Sequence, residues 1–138
     1  RTYEYYISLA KNPFTQDSAW QLWRRKIDVS KMNEACGILF EYDDFTSFAK
    51  LHTDNKTNFC KIYKAEWEQN GNELKFTISA DRFLRNMVRA IVGTMVEIGA
   101  GKIEPEDLRK IIESKNRNSA GTSAPPQGLL LVDVGYEF

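Results

Sequence analysis

Apolar positions along the chain recur in two periods, and the points where the period changes mark the elements. Residues 2–9 alternate, with Tyr3, Tyr5, Ile7 and Leu9 on one face and Glu4, Tyr6 and Ser8 on the other, which predicts a half-buried strand. Asn12-Pro13 ends it, and the aromatic stretch through Trp20 and Trp23 has no clean period, so a loop with at most one helical turn is expected. From Val29 the spacing becomes helical: Val29, Met32, Ala35, Cys36 and Leu39 share a face, with Asp28 or Ser30 placed to cap the first turn. A polar turn follows, and the flanking Phe45 and Phe48 are expected in the core. Residues 61–69 alternate with Tyr63, Ala65 and Trp67 together, and residues 73–80 with Leu74, Phe76, Ile78 and Ala80 together. Between them Asn70-Gly71 tolerates positive φ at both central positions of a type I′ turn, which predicts a hairpin.

Residues 82–101 carry two parallel apolar rows, Phe83, Met87, Ile91, Met95 and Leu84, Val88, Val92, Val96, the spacing of a long helix buried over a wide arc. Asp81 is positioned to cap it and Gly99-Ala100-Gly101 to close it in the left-handed conformation. At about 100° per residue, Arg82, Arg85 and Arg89 fall beside the Val92 and Val96 edge. Their stems can lie along apolar surface with the heads in water, or one guanidinium can turn inward, where it needs a carboxylate or phosphate partner. A further helix is predicted from Pro105, with Leu108, Ile111 and Ile112 buried. Residues 116–128 are a long aperiodic loop, either functional or a plain connection. Residues 129–136 are nearly continuous in apolar side chains, as in a strand covered on both faces. The order predicts an α+β fold, a mostly antiparallel sheet packed against helices, in a single domain spanning residues 1–138.

Composition narrows the function less than the pattern narrows the fold. Aromatic residues (eight Phe, six Tyr, three Trp) and 42% hydrophobic content predict an ordered core. Cys36, Cys60 and the single His52 are too few and too scattered for a metal site, so no metal is expected and both thiols are expected buried in a reducing compartment. Apolar runs fall well short of the roughly 20 residues that cross a bilayer, and no signal-peptide pattern is present, so a cytoplasmic protein without membrane contact is expected. The chain opens at Arg1 inside a strand-like pattern and without an initiator methionine, which reads as a piece of a longer protein. Nineteen basic and nineteen acidic residues cancel. Local basic clusters remain as candidates for RNA contact: Arg24, Arg25 and Lys26, then Lys50 with His52, Lys56, Lys61 and Lys64, then the three arginines near the long helix. No phosphate-cradling glycine loop, HExxH or GxSxG motif occurs, and His52 has no obvious Ser or Cys partner.

Four segments in order carry a resemblance. They are Arg1-Thr2-Tyr3-Glu4-Tyr5-Tyr6-Ile7, then Asp44-Phe45-Thr46-Ser47-Phe48, then residues 83–93 from Phe83 to Gly93, and then residues 122–131 from Thr122 to Leu131. Together they resemble the C-terminal half of the bacterial tRNA pseudouridine synthase A family, TruA, over essentially the whole chain. The resemblance implies an isomerase that converts uridine to pseudouridine in the anticodon stem-loop of tRNA, without cofactor or metal, as a homodimer. In that family an aspartate of an Arg-Thr-Asp-type motif in the N-terminal half attacks the target nucleotide, and uracil detaches, rotates and rejoins through carbon. No such motif occurs in this sequence, so none of its aspartates is assigned that role and the chain alone is expected to be inactive.

Three positions carry over. Tyr3 matches the active-site tyrosine that packs against the target base, with a part in proton transfer at the sugar. Arg89 matches the arginine that pairs with the nucleophilic aspartate and holds it ionised. Leu129 matches a pocket leucine that walls the uracil. Base flipping also requires cations on the flanking phosphates, for which Arg24, Arg25, Lys26 and Lys50 are the candidates. Ser47 sits in a family-like motif without an assigned role. The rival readings are a non-catalytic RNA-binding or dimerisation module of related fold, and a protein-interaction domain without RNA.

Overall fold

A computed structural model of the chain describes residues 1–50 and 57–134; His52 and Lys56, and the predicted strand positions Gly135 and Tyr136, lie outside them. The elements run β1 (Thr2–Ser8), β2 (Trp20–Gln21), α1 (Val29–Leu39), β3 (Ile62–Asn70), β4 (Glu73–Ala80), α2 (Met87–Gly99), α3 (Asp107–Ser114) and β5 (Leu129–Asp133). The fold is α+β, with a mostly antiparallel sheet. β1 pairs with β4 along its whole length. Its other edge is shared by β5, against Thr2–Tyr5, and by β2, against Ile7 and Ser8, the latter being the one parallel pairing among the described strands. β3 closes the far side against β4.

The β3–β4 hairpin forms, but one residue later than its sequence predicts. Asn70 pairs with Glu73, so the turn is Gly71-Asn72, and only Gly71 has positive φ (61°). The predicted common face of Tyr63, Ala65 and Trp67 is also broken. A bulge between Ile62 and Lys64 makes Tyr63 the unmatched residue, and it is 57% exposed while Ile62 takes the inward place opposite Ala80. Beyond the bulge the alternation recovers, and Trp67 stacks on Phe76 at 4.9 Å. Asn33 of α1 covers the open edge of β3, accepting from Trp67 N–H at 2.8 Å and donating to its carbonyl at 3.1 Å.

α1 begins where predicted, with Asp28 accepting from the Lys31 amide. α2 does not. Residues 82–86 form an irregular turn, and Asn86, the residue before the helix, lies in the left-handed region (φ 69°). The predicted cap is employed elsewhere, since Asp81 accepts from the Lys61 amide at 2.8 Å. The apolar rows continue through this break because Phe83 and Leu84 still cover the core, which periodicity alone cannot distinguish from a helical turn. Within α2 all residues but Arg89 and Glu97 are buried, so the helix is central to the fold. It ends in a Schellman arrangement: Lys102 N–H donates to Glu97 O, Gly101 N–H to Ile98 O, and Gly101 has φ 82°.

β5 departs from its prediction as well. Leu130, Leu131 and Val132 are 51%, 44% and 50% exposed, because β5 lies at the sheet edge with only β1 beside it among the described strands. Among the described residues no helix is long and apolar enough to cross a membrane.

Ser47 is a joint. Fully buried, it donates to Ile111 O at 2.6 Å and accepts from the Asn116 amide at 3.1 Å, tying the 46–48 turn to the end of α3. Ser47→Ala leaves the Asn116 amide without its partner, while Ile111 O keeps the Ser114 hydroxyl at 2.7 Å, and a loss of about 1–3 kcal/mol is expected. Urea denaturation checks this as a lowered midpoint at unchanged slope.

Candidate active site

A cavity of ≈ 310 Å³ opens where the start of β1, the turn before α2 and the start of β5 converge. Tyr3, Arg89 and Leu129 all line it, together with Lys50, Phe83, Arg85 and Asn86. Tyr3, Arg89 and Leu129 come from three different elements. Tyr3 pairs with Ile78 on one side and Leu131 on the other, which fixes its Cα at the centre of the sheet. Its ring meets Phe83 edge-on, with centroids 5.2 Å apart and planes at 83°, a favourable quadrupolar arrangement. Arg89 sits in the first turn of α2, and Leu129 follows the tight 126–128 turn.

The lining has a definite electrostatic character. Three cations, Lys50, Arg85 and Arg89, and no carboxylate, are among the described residues that line it. Arg89 donates through Nε to Ala124 O at 2.7 Å, and no hydrogen bond among the described residues engages its two terminal nitrogens. Such a guanidinium is anchored at one edge and presents a fork of donors suited to a carboxylate or phosphate. Tyr3 and Leu129 supply apolar walls to a flat ring. Among the described residues no group of three or more His, Cys, Asp or Glu is placed to hold a metal.

What holds these groups is the aperiodic loop, which is a strap laid across α2. Gly93 lets it approach: a Cβ there would lie 1.8 Å from Thr122 O. Thr94, buried, accepts from the Gly121 amide at 2.9 Å. Ala124 N–H donates to Arg89 O at 2.9 Å while Arg89 Nε returns to Ala124 O, and Tyr5 donates to Pro125 O at 2.5 Å. Burial pushes the Tyr5 phenol well above its usual range, with the Arg89 charge pulling weakly the other way, so it stays a donor. Tyr5 also shapes the turn before Leu129, for a Cβ on Gly128 would lie 2.7 Å from its ring. The two strand tyrosines therefore divide the work: Tyr3 faces the cavity and Tyr5 holds the strap.

The other sequence candidates separate. Arg82 and Arg85 are not on the helix. Arg82 donates to Thr57 O and Phe59 O at 3.1 and 3.0 Å, bracing the chain before β3, and Arg85 is exposed at the cavity rim. Lys50 reaches the cavity because its amide donates to Arg85 O at 3.0 Å. Arg24, Arg25 and Lys26 are exposed beyond β2, at the other end of β1, roughly 15 Å along the strand from Tyr3. Sequence reading missed Asn86, Gly93, Arg117 and Ser123. The signal for Gly93 was a glycine in the interior of an apolar helix, which marks a close approach; Arg117 and Ser123 lie in a loop whose partners no periodicity encodes.

Residues 42–137 match the family model described as tRNA pseudouridine synthase. The tRNA pseudouridine synthase A of Bacteroides fragilis is 58% identical over 137 residues, covering 99% of this chain and 54% of that protein. The same-named protein of Parabacteroides distasonis is 55% identical over 136 residues, with 99% and 54% covered. That of Bacillus pumilus is 37% identical over 139 residues, with 99% and 56% covered. The chain thus spans about half the length of the curated relatives it matches. With the family model covering most of the chain, and three of the four resembling segments lining or strapping the cavity, this chain belongs to the tRNA pseudouridine synthase family.

Proposed function

We propose that the chain is one domain, the C-terminal half of a tRNA pseudouridine synthase, and that the cavity is its half of the uridine pocket. The observation that carries this reading is Arg89: among the described residues no hydrogen bond engages its two terminal nitrogens, and it lines a space that Tyr3 and Leu129 wall. The nucleophilic aspartate comes from the other half of the protein and pairs with Arg89, which lowers its pKa and keeps it ionised at neutral pH. Tyr3 packs on the flipped uracil and takes part in proton transfer at the sugar, and Leu129 covers the opposite face. Attack by the carboxylate breaks the bond from sugar to uracil nitrogen. The uracil turns, C5 bonds to the sugar carbon as the carboxylate leaves it, the hydrogen on C5 departs to water as a proton, and the former glycosidic nitrogen takes up a proton. The reaction so described calls for no cofactor or metal.

Lys50, at the cavity rim, holds a phosphate of the flipped nucleotide, and Arg24, Arg25 and Lys26 contact a more distant part of the RNA. The reading includes a cytoplasmic homodimer whose subunits both touch tRNA. The intact protein is expected to release tritium from tRNA transcripts carrying 5-tritiated uridine, without added cofactor, and residues 1–138 alone to release none. Release by residues 1–138 alone would overturn the division of the site between two halves. Failure of the intact protein to release any would overturn the enzymatic reading and favour a non-catalytic RNA-binding module.

A further inference from the structure

Ser47 lies in a motif to which the proposed reaction assigns no part, and the hydrogen bonds that begin there run toward Arg89. Its hydroxyl accepts from the Asn116 amide at 3.1 Å, which sets the end of α3 against the 46–48 turn. Asn116 then caps the short 117–119 turn, accepting from the Asn118 amide at 2.9 Å, and Arg117 reaches from that turn onto the strap. One terminal nitrogen of Arg117 donates to Gly121 O and the other to Ser123 Oγ, both at 2.9 Å. The planar fork grips the strap on both sides of Thr122, the residue whose carbonyl lies against Gly93.

Ser123 Oγ is held from a second side. Asn86 Nδ2 donates to it at 2.6 Å, from the left-handed residue that precedes α2. A hydroxyl oxygen has two lone pairs, and Arg117 and Asn86 occupy both. The next peptide is the one that holds Arg89: Ala124 O accepts from Arg89 Nε at 2.7 Å, and Ala124 N–H donates to Arg89 O at 2.9 Å. Residues 121–125 belong to no helix or strand, so the side chains around them set the course of this segment.

We propose that Arg117 is a positioning residue for the reaction: by clamping Gly121 and Ser123 it fixes the Ala124 carbonyl, and through it the direction in which Arg89 presents its two terminal nitrogens. The inference rests on the uridine-pocket reading and extends it to a residue that is not among those described as lining the cavity. A carboxylate that engages the far edge of the Arg89 guanidinium pulls on the near edge, and Ala124 resists only as firmly as the strap is held. Ser47 gains a part in the site as well, because it anchors the turn from which Arg117 reaches.

Arg117→Met tests this in the intact protein, since it keeps an apolar stem and removes the fork. In tritium release from 5-tritiated uridine in tRNA, kcat is expected to fall about tenfold to 100-fold while KM stays within about twofold of wild type. The acid limb of the pH–rate profile is expected to move to higher pH, because a carboxylate facing a misdirected cation is protonated earlier as pH falls. In an Arg89→Ala background the same change is expected to cost less than about threefold, since both substitutions act through one guanidinium. A purely structural arginine would lower the melting temperature and leave kcat and the acid limb of the folded protein unmoved. An arginine that touches RNA would raise KM and reduce the salt slope of tRNA binding by about 1, and one that acts independently of Arg89 would cost as much in both backgrounds. Any of these three results would overturn the proposal. If Arg117→Met fails to fold, Ser123→Ala is read by the same measurements, and a wild-type kcat there would overturn it. Arg89→Ala alone separates the two readings: a wild-type rate in that variant overturns both, whereas its loss beside a wild-type rate in Arg117→Met overturns only this one.

Discussion

Gly93→Ala is expected to unseat the strap and to remove most of the activity of the intact protein while leaving the sheet folded. The added methyl would stand 1.8 Å from Thr122 O, 2.9 Å from its carbonyl carbon and 3.3 Å from Ala124 N. All three are backbone atoms, so no side chain can rotate away, and either α2 or the strap must move by more than an ångström. Overpacking of this kind costs about 1–3 kcal/mol where a site can adjust. Here adjustment carries Ala124 away from Arg89 and Pro125 away from Tyr5, which releases the guanidinium and the turn before Leu129 together. The expected signature is a melting temperature lowered by several degrees with near-native far-UV circular dichroism, and tritium release reduced by about 100-fold or more. Gly101→Ala is the useful contrast. Its Cβ meets nothing within 4 Å, and its cost is confined to the positive φ at the end of α2, so it is expected to lose stability without losing activity in the folded fraction.

Much of this architecture was legible in the sequence, and the failures share a cause. Strand β1, helix α1, the buried face of β4 and the closing glycines of α2 follow from period and capping, which are local. The start of α2 was misread because Phe83 and Leu84 keep the helical spacing while the chain turns, and a left-handed Asn86 is invisible to a hydrophobic pattern. Tyr63 was misplaced because a bulge shifts alternation by one residue without changing composition. The apolar run of β5 was read as buried on both faces, though among the described residues only β1 lies beside it. For the site, Tyr3, Arg89 and Leu129 were named from the resemblance and not from physics. The strap that joins them depends on pairings between residues 27 to 120 positions apart, such as Thr94 with Gly121 and Tyr5 with Pro125, which no local pattern records.

Arg89 carries the larger consequence. Its removal in Arg89→Ala deletes one hydrogen bond to the strap, worth about 1–2 kcal/mol for a charged donor to a carbonyl in a partly buried setting. It also deletes the cation that, in the proposed site, holds the attacking carboxylate. That second loss acts on the reaction itself, and electrostatic groups of this kind are worth about 100- to 1000-fold in rate. The two effects separate by measurement. A purely structural role lowers the melting temperature and leaves kcat of the folded protein near wild type. A role in the reaction lowers kcat, and it also moves the acid limb of the pH–rate profile to higher pH, because a carboxylate without its cation has a raised pKa and is protonated earlier as pH falls. Arg89→Lys keeps the charge but not the fork, and is expected to recover the acid limb before it recovers the rate.

Single-turnover tritium release from 5-tritiated uridine in tRNA, by intact Arg89→Ala protein shown to be folded, tests the central claim most directly. A rate at least about 100-fold below wild type, with the acid limb shifted upward, is the expected result. A wild-type rate would contradict the assignment of this cavity as the uridine pocket.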